Sequence, residues 1–262
     1  MSCTNLSSAP HFSCGTCNYC KKNPPVCLYS RKYNEYVIPD HITNVKIDIG
    51  LSFHAPCSNK WLITEPNTIV FGFEPNPENC NAILTQNYGD TWIPNGYLEK
   101  RFLDENRFYL FQYAVSNPNC EELMKIYMNH KDSGTSSLFS HDQNLLGRIK
   151  YELDVRVINL SIFFDNFPWE RFEYIDYIKI DAQGSDLNIL KGAGNYLKEK
   201  VVYITAEPDG HYYFNADDCN EDNINNYMIS QGFVRIKHAN TSDPTYLNLK
   251  FSHLKDTIWI NQ

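Results

Sequence analysis

Acidic residues follow four of the predicted strands in this 262-residue sequence. Asp48 and Gly50 end the first of these strands, and Glu74 ends the second. Asp181 and Glu207 end two later strands. In an open α/β sheet, ligands bind beyond the carboxyl ends of the strands. We therefore expect these carboxylates at one edge of a sheet, where they can bind a ligand or take part in proton transfer.

The first two acidic positions have the spacing of a nucleotide-binding site. Rossmann-type sites place an acid that accepts both ribose hydroxyls roughly 20 residues beyond the first glycine turn, and Glu74 lies 24 residues beyond Gly50. Gly50 lets the backbone approach a ligand closely, and Asp48 can hold an ammonium group directly or through water. The alternative is purely structural, with a strand-end turn at Gly50 and an acid favoured by a helix dipole at Glu74.

Apolar runs that alternate with helical patterns supply the elements that must position these acids. This alternation is typical of βαβ units and a parallel sheet. Strands are predicted at 45–49, 69–73, 109–115, 174–180 and 201–206, with two late strands at 233–236 and 257–260. Two further strands, at 124–128 and 155–160, flank a polar loop at 131–137 that is interpreted either as a lid or acceptor contact or as a hairpin turn.

Two helices are predicted from their terminal residues. Asn76 can cap the helix that follows the second strand, and Gly89 can end it. Ser185 and Gly192 have the same relationship to the helix after Asp181. A third, amphipathic helix is predicted at 221–231.

The runs KIDIG, VFGFEPNP, YAVSN, SGTSSL, YIKIDAQGSDLNILKGAG and VVYITAEP occur in this order between about Val45 and Pro208. Together they resemble the FkbM family of methyltransferases. The resemblance implies an α/β, class I methyltransferase Rossmann-like fold. Its sheet is seven-stranded and mostly parallel, in the order 3-2-1-4-5-7-6 with the last strand antiparallel, and helices cover both faces.

The same resemblance implies S-adenosylmethionine as the cofactor. By analogy, Asp48 and Gly50 line its methionine part, Glu74 binds its ribose, and Asp181 faces the methyl group and the acceptor. The full set of cofactor-binding residues expected from the motifs is Asp48, Gly50, Ser52, Glu74, Asn76, Ala114, Val115, Ser116, Asp181 and Gln183, with 114–116 near the adenine.

Methyl transfer to a hydroxyl group also needs a general base, because the acceptor must lose a proton. Asp181, Glu207 and His211 are the candidate catalytic residues, and histidine ordinarily titrates nearest to neutral pH. The alternative for His211 is a histidine in a surface loop. A divalent cation held by Asp181 and Glu207 is another way to acidify the hydroxyl.

Two positions depart from the family pattern. His54 stands where the family usually has a second glycine, and Gln183 stands where it usually has a glutamate. A glutamine keeps hydrogen bonding but loses the charge. The expected function is an O-methyltransferase acting on a sugar, glycan or small metabolite. A non-catalytic protein that keeps the fold and binds a cofactor or ligand is the alternative.

We expect the first 40 residues to be a cysteine-rich appendage to a methyltransferase domain at 41–262. Cys14, Cys17, Cys20 and Cys27 place four thiols within fourteen residues. Paired C-x2-C units are common in structural zinc sites. This run has one such unit and lacks a standard second one, so the alternatives are a structural zinc site and free thiols.

The composition of the chain limits the kinds of molecule that it is expected to bind. The formal net charge of −8 argues against nucleic acid as the main partner, because affinity for nucleic acid depends mostly on lysine and arginine. The sequence shows neither a signal peptide nor an apolar run of about 20 residues, the length of a membrane span. We therefore expect a soluble, cytoplasmic protein with a small-molecule or glycan acceptor. The oligomeric state is left open.

Overall fold

A twisted seven-stranded sheet forms the centre of the protein. The computed structural model describes residues 36–88, 96–117, 119, 122–129, 133–237 and 241–255. The sheet contains β1 (Asn44–Ile49), β2 (Thr68–Phe73), β3 (Phe108–Phe111), β7 (Ile175–Ile180), β8 (Val201–Ala206), β9 (Phe233–Ile236) and β10 (Thr245–Asn248). Their order is β3-β2-β1-β7-β8-β10-β9.

This order confirms the predicted fold. When the seven strands are numbered among themselves in chain order, the sequence across the sheet becomes 3-2-1-4-5-7-6. β10 runs antiparallel to both of its neighbours, β8 and β9, and the remaining pairs in this sheet are parallel. Since β1 pairs with β2 on one side and β7 on the other, the ends of these three strands meet at one edge.

Helices cover both faces of the sheet, as predicted. One face carries α4 (Leu160–Asp165), α5 (Asp186–Gly192), α6 (Tyr196–Lys200) and α7 (Glu221–Ser230). The opposite face carries α1 (Pro56–Thr64), α2 (Pro77–Thr85) and α3 (Lys100–Asp104). Because both faces are covered, β2 and β8 are buried along their whole length, which is why they are continuous apolar runs in the sequence.

A separate three-stranded sheet lies beside the carboxyl-end edge. It contains β4 (Ala114–Val115), β5 (Leu123–Asn129) and β6 (Ile149–Ile158), in the order β4-β6-β5. The predicted continuous strand at 109–115 was therefore wrong, because the chain turns at Gln112 and divides between two sheets. The amide of Tyr113 donates to the Phe111 carbonyl at 2.9 Å, which closes the turn. The amide of Ser116 donates to the Ile158 carbonyl, also at 2.9 Å, so this part of the chain pairs with β6 of the second sheet.

Several element boundaries also differ from the sequence expectation. The helix expected to reach Gly89 ends at Thr85, because Gln86 adopts a left-handed backbone with φ 58°, and Gly89 lies outside the described residues. The strand expected to end at Leu160 ends at Ile158, and Leu160 opens α4 under the cap of Asn159. The predicted strand at 257–260 also lies outside the described residues, and the described sheet takes its antiparallel strand from β10, which the sequence analysis did not predict.

Within the described residues, every helix is too short or too polar to cross a lipid bilayer.

Candidate active site

A cavity of about 690 Å³ lies at the carboxyl-end edge of the large sheet. Its walls come from the segments that follow β1, β2, β7 and β8, and from residues 133–138 of the loop between β5 and β6. The site residues predicted from the sequence that line this cavity are Gly50, Ser52, Glu74, Ala114, Val115, Asp181, Gln183 and Glu207.

The ends of β1 and β7 are joined at Gly50 and Asp181. Gly50 has φ 86°, and a Cβ placed on it would lie 1.8 Å from the Asp181 carbonyl oxygen. The amide of Asp181 donates to the Ile49 carbonyl at 3.0 Å, and the amide of Gly50 donates to Phe73 at the same distance. Only glycine fits such a contact. Because the backbones of residues 50 and 181 touch, the Asp181 side chain lies beside the turn that follows β1.

The turn after β1 does not require a glycine at position 54. Its left-handed residues are Gly50, Ser52 and Ala55, with φ of 86°, 56° and 45°. His54 lines the cavity with its ring centroid 4.4 Å from that of Phe53. The departure from the family pattern at this position therefore places no left-handed strain on the histidine.

Asp48 lies behind the cavity wall and is 1% exposed. The Ser58 hydroxyl donates to its Oδ2 at 2.6 Å, and the Lys179 ammonium lies 3.7 Å from its Oδ1. Burial raises the pKa of Asp48, although Lys179 and Ser58 oppose that rise. Asp48 thus contacts the residues that form the wall, but the cavity itself is lined by its neighbours Ile49 and Gly50.

Glu74 presents a buried carboxylate to the cavity. Its Oε1 accepts from the Asn76 amide at 2.9 Å and from Asn79 Nδ2 at 3.2 Å, and the Ser52 amide is a further donor. Burial raises the pKa of Glu74 to about 7, and these three donors limit the rise. The side chain is thereby held rigidly at the end of β2, with its protonation sensitive to pH near neutrality.

Asp181 and Glu207 form a carboxyl pair in the middle of the cavity wall. Gln183 lies between them, with its Nε2 2.6 Å from Asp181 Oδ1 and 3.3 Å from Glu207 Oε2. On its other side, Asp181 Oδ2 accepts from Lys179 Nζ at 3.0 Å. About a third of the Asp181 side chain is exposed, at 36%, so this carboxylate is open to a ligand in the cavity.

The pair shares one proton, and Glu207 carries it. Burial, the charge of Asp181 and a hydrogen bond to Asp181 raise the pKa of Glu207 to about 9. Burial alone would also raise the pKa of Asp181, but the Lys179 ammonium and the hydrogen bonds from Glu207 and Gln183 hold it below its ordinary value. At neutral pH the pair is therefore one carboxylate and one carboxylic acid.

Two fully enclosed acids fix the loops that carry this pair. Asp186 accepts from the Ala182 amide at 3.1 Å and from the Glu207 amide at 2.9 Å. Asp209 accepts from the Gly184 amide at 2.7 Å. Burial raises the pKa of both acids, that of Asp209 to about 7, and their electrostatic interaction with Glu207 contributes to the raised pKa of Glu207. The loops after β7 and β8 are thus tied to each other by side chains beneath the cavity.

Along the strand order β3-β2-β1-β7-β8-β10, the cavity wall has an apolar end toward β2 and β3, beside Glu74, and a polar end toward β7, β8 and β10. The apolar end is lined by Phe73, Tyr113, Ala114, Val115, Ile126 and Leu138. The polar end is lined by Lys60, Trp61, Tyr177, Thr205, Thr241 and Asp243. The carboxyl pair follows β7 and β8 and so lies at the polar end, whereas Glu74 follows β2 and lies at the apolar end.

The comparison with known families agrees with this geometry. Residues 40–235 match the family model described as the methyltransferase FkbM domain. This chain belongs to the FkbM methyltransferase family. A search of curated proteins finds no matching relative. The family model spans β1 to β9, and so includes the carboxyl pair and Glu74.

Some of the residues predicted for this FkbM methyltransferase lie off the cavity. Asn76 caps α2, with its side chain accepting from the Glu78 amide at 2.9 Å. Ser116 is buried against Gly192, where an added Cβ would lie 2.3 Å from the Ser116 carbonyl oxygen. His211 is exposed in the 3₁₀ turn Gly210–Tyr212, with its ring against Tyr212. The four appendage residues Cys14, Cys17, Cys20 and Cys27 lie outside the described residues.

The sequence analysis missed Lys179 and the hydrogen bond of Tyr213 to Gln183. Lys179 lies on β7 two residues before Asp181, which directly follows the strand, so the alternation of β7 continued by one residue directs both side chains to one face. That spacing was a usable signal. Tyr213 donates to Gln183 Oε1 at 2.5 Å across 30 positions of sequence, and no local pattern indicates such a contact.

Proposed function

We propose that this FkbM methyltransferase is an S-adenosylmethionine-dependent O-methyltransferase that acts on a hydroxyl of a sugar, glycan or small metabolite. One observation carries the proposal. The Asp181–Glu207 pair, with a single proton, lies at the polar end of a cavity whose apolar end includes Glu74. A hydroxyl that loses a proton while it accepts a methyl group needs such a pair beside it.

The residues present fit the proposed cofactor. Glu74 offers a fixed carboxylate for two ribose hydroxyls, and the apolar end beside it offers a slot for the adenine. The cavity volume of about 690 Å³ falls within the usual range of about 300–1,000 Å³ for small-molecule sites. The carboxylates of Glu74 and Asp181 also favour a cation, and the sulfonium centre of S-adenosylmethionine is cationic.

The remaining predicted contacts follow from the same arrangement. Gly50 and Ser52 present backbone to the methionine part of the cofactor. Asp48 acts from behind the wall, because it holds Lys179, which in turn holds Asp181.

When bound, S-adenosylmethionine supplies a methyl group that is already electrophilic and needs alignment more than activation. The chain's own task is to orient the acceptor and to take its proton. The Asp181 carboxylate would accept the hydrogen bond of the acceptor hydroxyl and take its proton, while the methyl group passes from the sulfonium sulfur to the acceptor oxygen and S-adenosylhomocysteine leaves. Glu207 keeps its own proton and stabilises Asp181 by donating to it.

The polar cavity end favours a neutral, hydroxyl-rich acceptor. Thr205, Thr241 and Asp243 offer hydroxyl and carboxylate groups that pair with hydroxyls. Of the two lysines that line the cavity, Lys179 is already paired with Asp181 and Asp48, which leaves Lys60 among the acids Glu74, Asp181 and Asp243. An acceptor with a phosphate or carboxylate beside its reacting hydroxyl is therefore disfavoured.

Calorimetry with S-adenosylmethionine tests the cofactor site. Glu74→Ala and Asp48→Ala are each expected to weaken binding by tenfold or more, about 1.4 kcal/mol. Glu78→Gln is the matched control, because Glu78 is an exposed acid four residues from Glu74. Equal affinity in all of these proteins contradicts the site.

Release of S-adenosylhomocysteine in the presence of a mixed library of hydroxyl acceptors then tests turnover. Tight binding without release across the library favours the non-catalytic alternative.

A further inference from the structure

The Gln183 side chain occupies the point between Asp181 and Glu207 at which a bridging cation would lie. Its Nε2 is 2.6 Å from Asp181 Oδ1 and 3.3 Å from Glu207 Oε2. Divalent cations that bridge carboxylates lie about 2.0–2.6 Å from each oxygen. A neutral donor nitrogen therefore stands where a metal ion would need open coordination space.

The hydrogen-bond network decides which end of the Gln183 amide faces the acids. The Tyr213 hydroxyl donates to Gln183 Oε1 at 2.5 Å, so the amide oxygen points away from the pair. The reverse orientation would place this oxygen against the ionised Asp181. The amide nitrogen, by contrast, gives a donor to both carboxyl groups.

The backbone of Gln183 is also held in place. Its carbonyl accepts from the Ser137 hydroxyl at 2.5 Å, and its own φ is 52°, in the left-handed region. The next residue, Gly184, donates to Asp209. With contacts from three separate segments, Gln183 has little freedom to move aside for an ion.

The charge of Asp181 is also compensated without a metal ion. The ammonium of Lys179 lies 3.0 Å from Asp181 Oδ2 and compensates its charge. Thus Asp181 already has a compensating cation, and the pair already has a bridging donor in the Gln183 amide.

We propose that Gln183 is a positioning residue that fixes the Asp181–Glu207 pair in place of a divalent cation, so that this site neither binds nor needs a metal ion. The claim about metal binding stands on geometry alone, whereas the claim about need rests on the proposed function. Gln183→Glu turns the donor into a third carboxylate facing the other two, and this change should create a cation site at the Asp181–Glu207 pair.

The proposal is tested by titrating the full chain with MnCl₂. Calorimetry and the electron paramagnetic resonance signal of free Mn²⁺ both measure how much of the ion is bound. The native protein and Gln231→Glu, the same substitution at the end of α7, are expected to give the same weak titration. Gln183→Glu is expected to bind one equivalent at least tenfold more tightly. One equivalent bound by the native chain and lost in Asp181→Asn overturns the proposal. So does a Gln183→Glu protein that is folded by circular dichroism and binds Mn²⁺ no better than Gln231→Glu.

A second measurement separates positioning from simple packing. The carboxyl carbon of Glu207 is followed by ¹³C NMR titration in the native protein and in Gln183→Met, which keeps the side-chain length but removes the donor. Without the bridging amide the two acids repel each other more strongly, so the pKa of Glu207 is expected to rise further in Gln183→Met. An unchanged titration contradicts the positioning role. Neither this measurement nor the Mn²⁺ titration requires turnover, so a failure of the proposed methyl transfer remains distinguishable from a failure of this inference.

If S-adenosylhomocysteine release is obtained with the native protein, it is expected to be unaffected by an excess of EDTA. Loss of turnover with EDTA, restored by added Mg²⁺ or Mn²⁺, overturns the claim that the site needs no metal ion.

Discussion

The backbone of Gly50 lies against the carbonyl oxygen of Asp181, so closely that a Cβ on Gly50 would be 1.8 Å from that oxygen. This contact ties the first strand to the fourth strand of the large sheet at the point where both end. It connects the turn after β1 to the carboxyl pair, and each depends on the other for its position.

Gly50→Ala is therefore expected to disrupt the site and destabilise the fold. The added methyl group forces β1 and β7 apart, and we expect a loss of more than about 3 kcal/mol in the free energy of unfolding. Gly232→Ala is the matched control, because Gly232 has almost the same φ, 85°, but open space around its Cβ position. Its cost should be only about 1 kcal/mol, from the left-handed backbone. Urea denaturation measures both, and equal losses would contradict the steric explanation.

Binding of S-adenosylmethionine should strengthen as pH rises through about 7. The pKa of Glu74 is raised to about 7 by burial, so its carboxylate forms only above that pH and then accepts the ribose hydroxyls. Calorimetry at pH 6 and pH 8 is expected to show this increase in the native protein and its absence in Glu74→Gln. A Glu74→Gln protein that retains the native pH dependence would assign the effect to another group.

Replacing Glu207 should change how stability depends on pH. Its pKa in the folded chain is about 9, above the ordinary value of 4.5, so the stabilising contribution of its protonated form is complete below about pH 4.5 and is lost as pH rises through 9. A glutamine side chain at this position would be neutral at every pH. The unfolding free energy of Glu207→Gln, minus that of the native protein, is thus expected to increase between pH 5 and pH 9. Urea denaturation at pH 5, 7 and 9 measures it, and a constant difference would mean that Glu207 is ionised in the folded chain.

The ion pair at the opposite edge of the sheet should matter for stability alone. Lys46 is 1% exposed and its ammonium contacts Glu65, which is 12% exposed. Glu65→Gln leaves a buried ammonium with a weaker partner, and we expect a loss of about 3 kcal/mol. Glu199→Gln, in the exposed pair with Lys250, is expected to leave stability nearly unchanged. Thermal unfolding of both variants checks this, and affinity for S-adenosylmethionine should stay native in each.

The sequence by itself located six of the seven described strands of the large sheet and most of the acids of the cavity wall, and the family resemblance supplied the strand order. Buried strands that end in an acid are local patterns, and topology rules for α/β sheets carry them to one edge. This reasoning located Glu74, Asp181 and Glu207 correctly at the cavity. It also predicted that the backbone of Gly50 makes a close contact. The predicted contact was with a ligand, and the structure shows one with the Asp181 carbonyl oxygen.

Only the tertiary structure decided which of these acids face the cavity and how they are charged. Asp48 and Glu74 occupy similar positions in the sequence pattern, yet Ser58 and Lys179 hold Asp48 behind the wall. The proton on Glu207 depends on burial and on the nearness of Asp181, which are properties of three-dimensional distance. Tyr213 likewise contacts Gln183 from a different loop, and the local periodicity of the sequence does not predict that contact. A strand pattern fixes the direction of a side chain, whereas its partners and its charge come from segments far away in the chain.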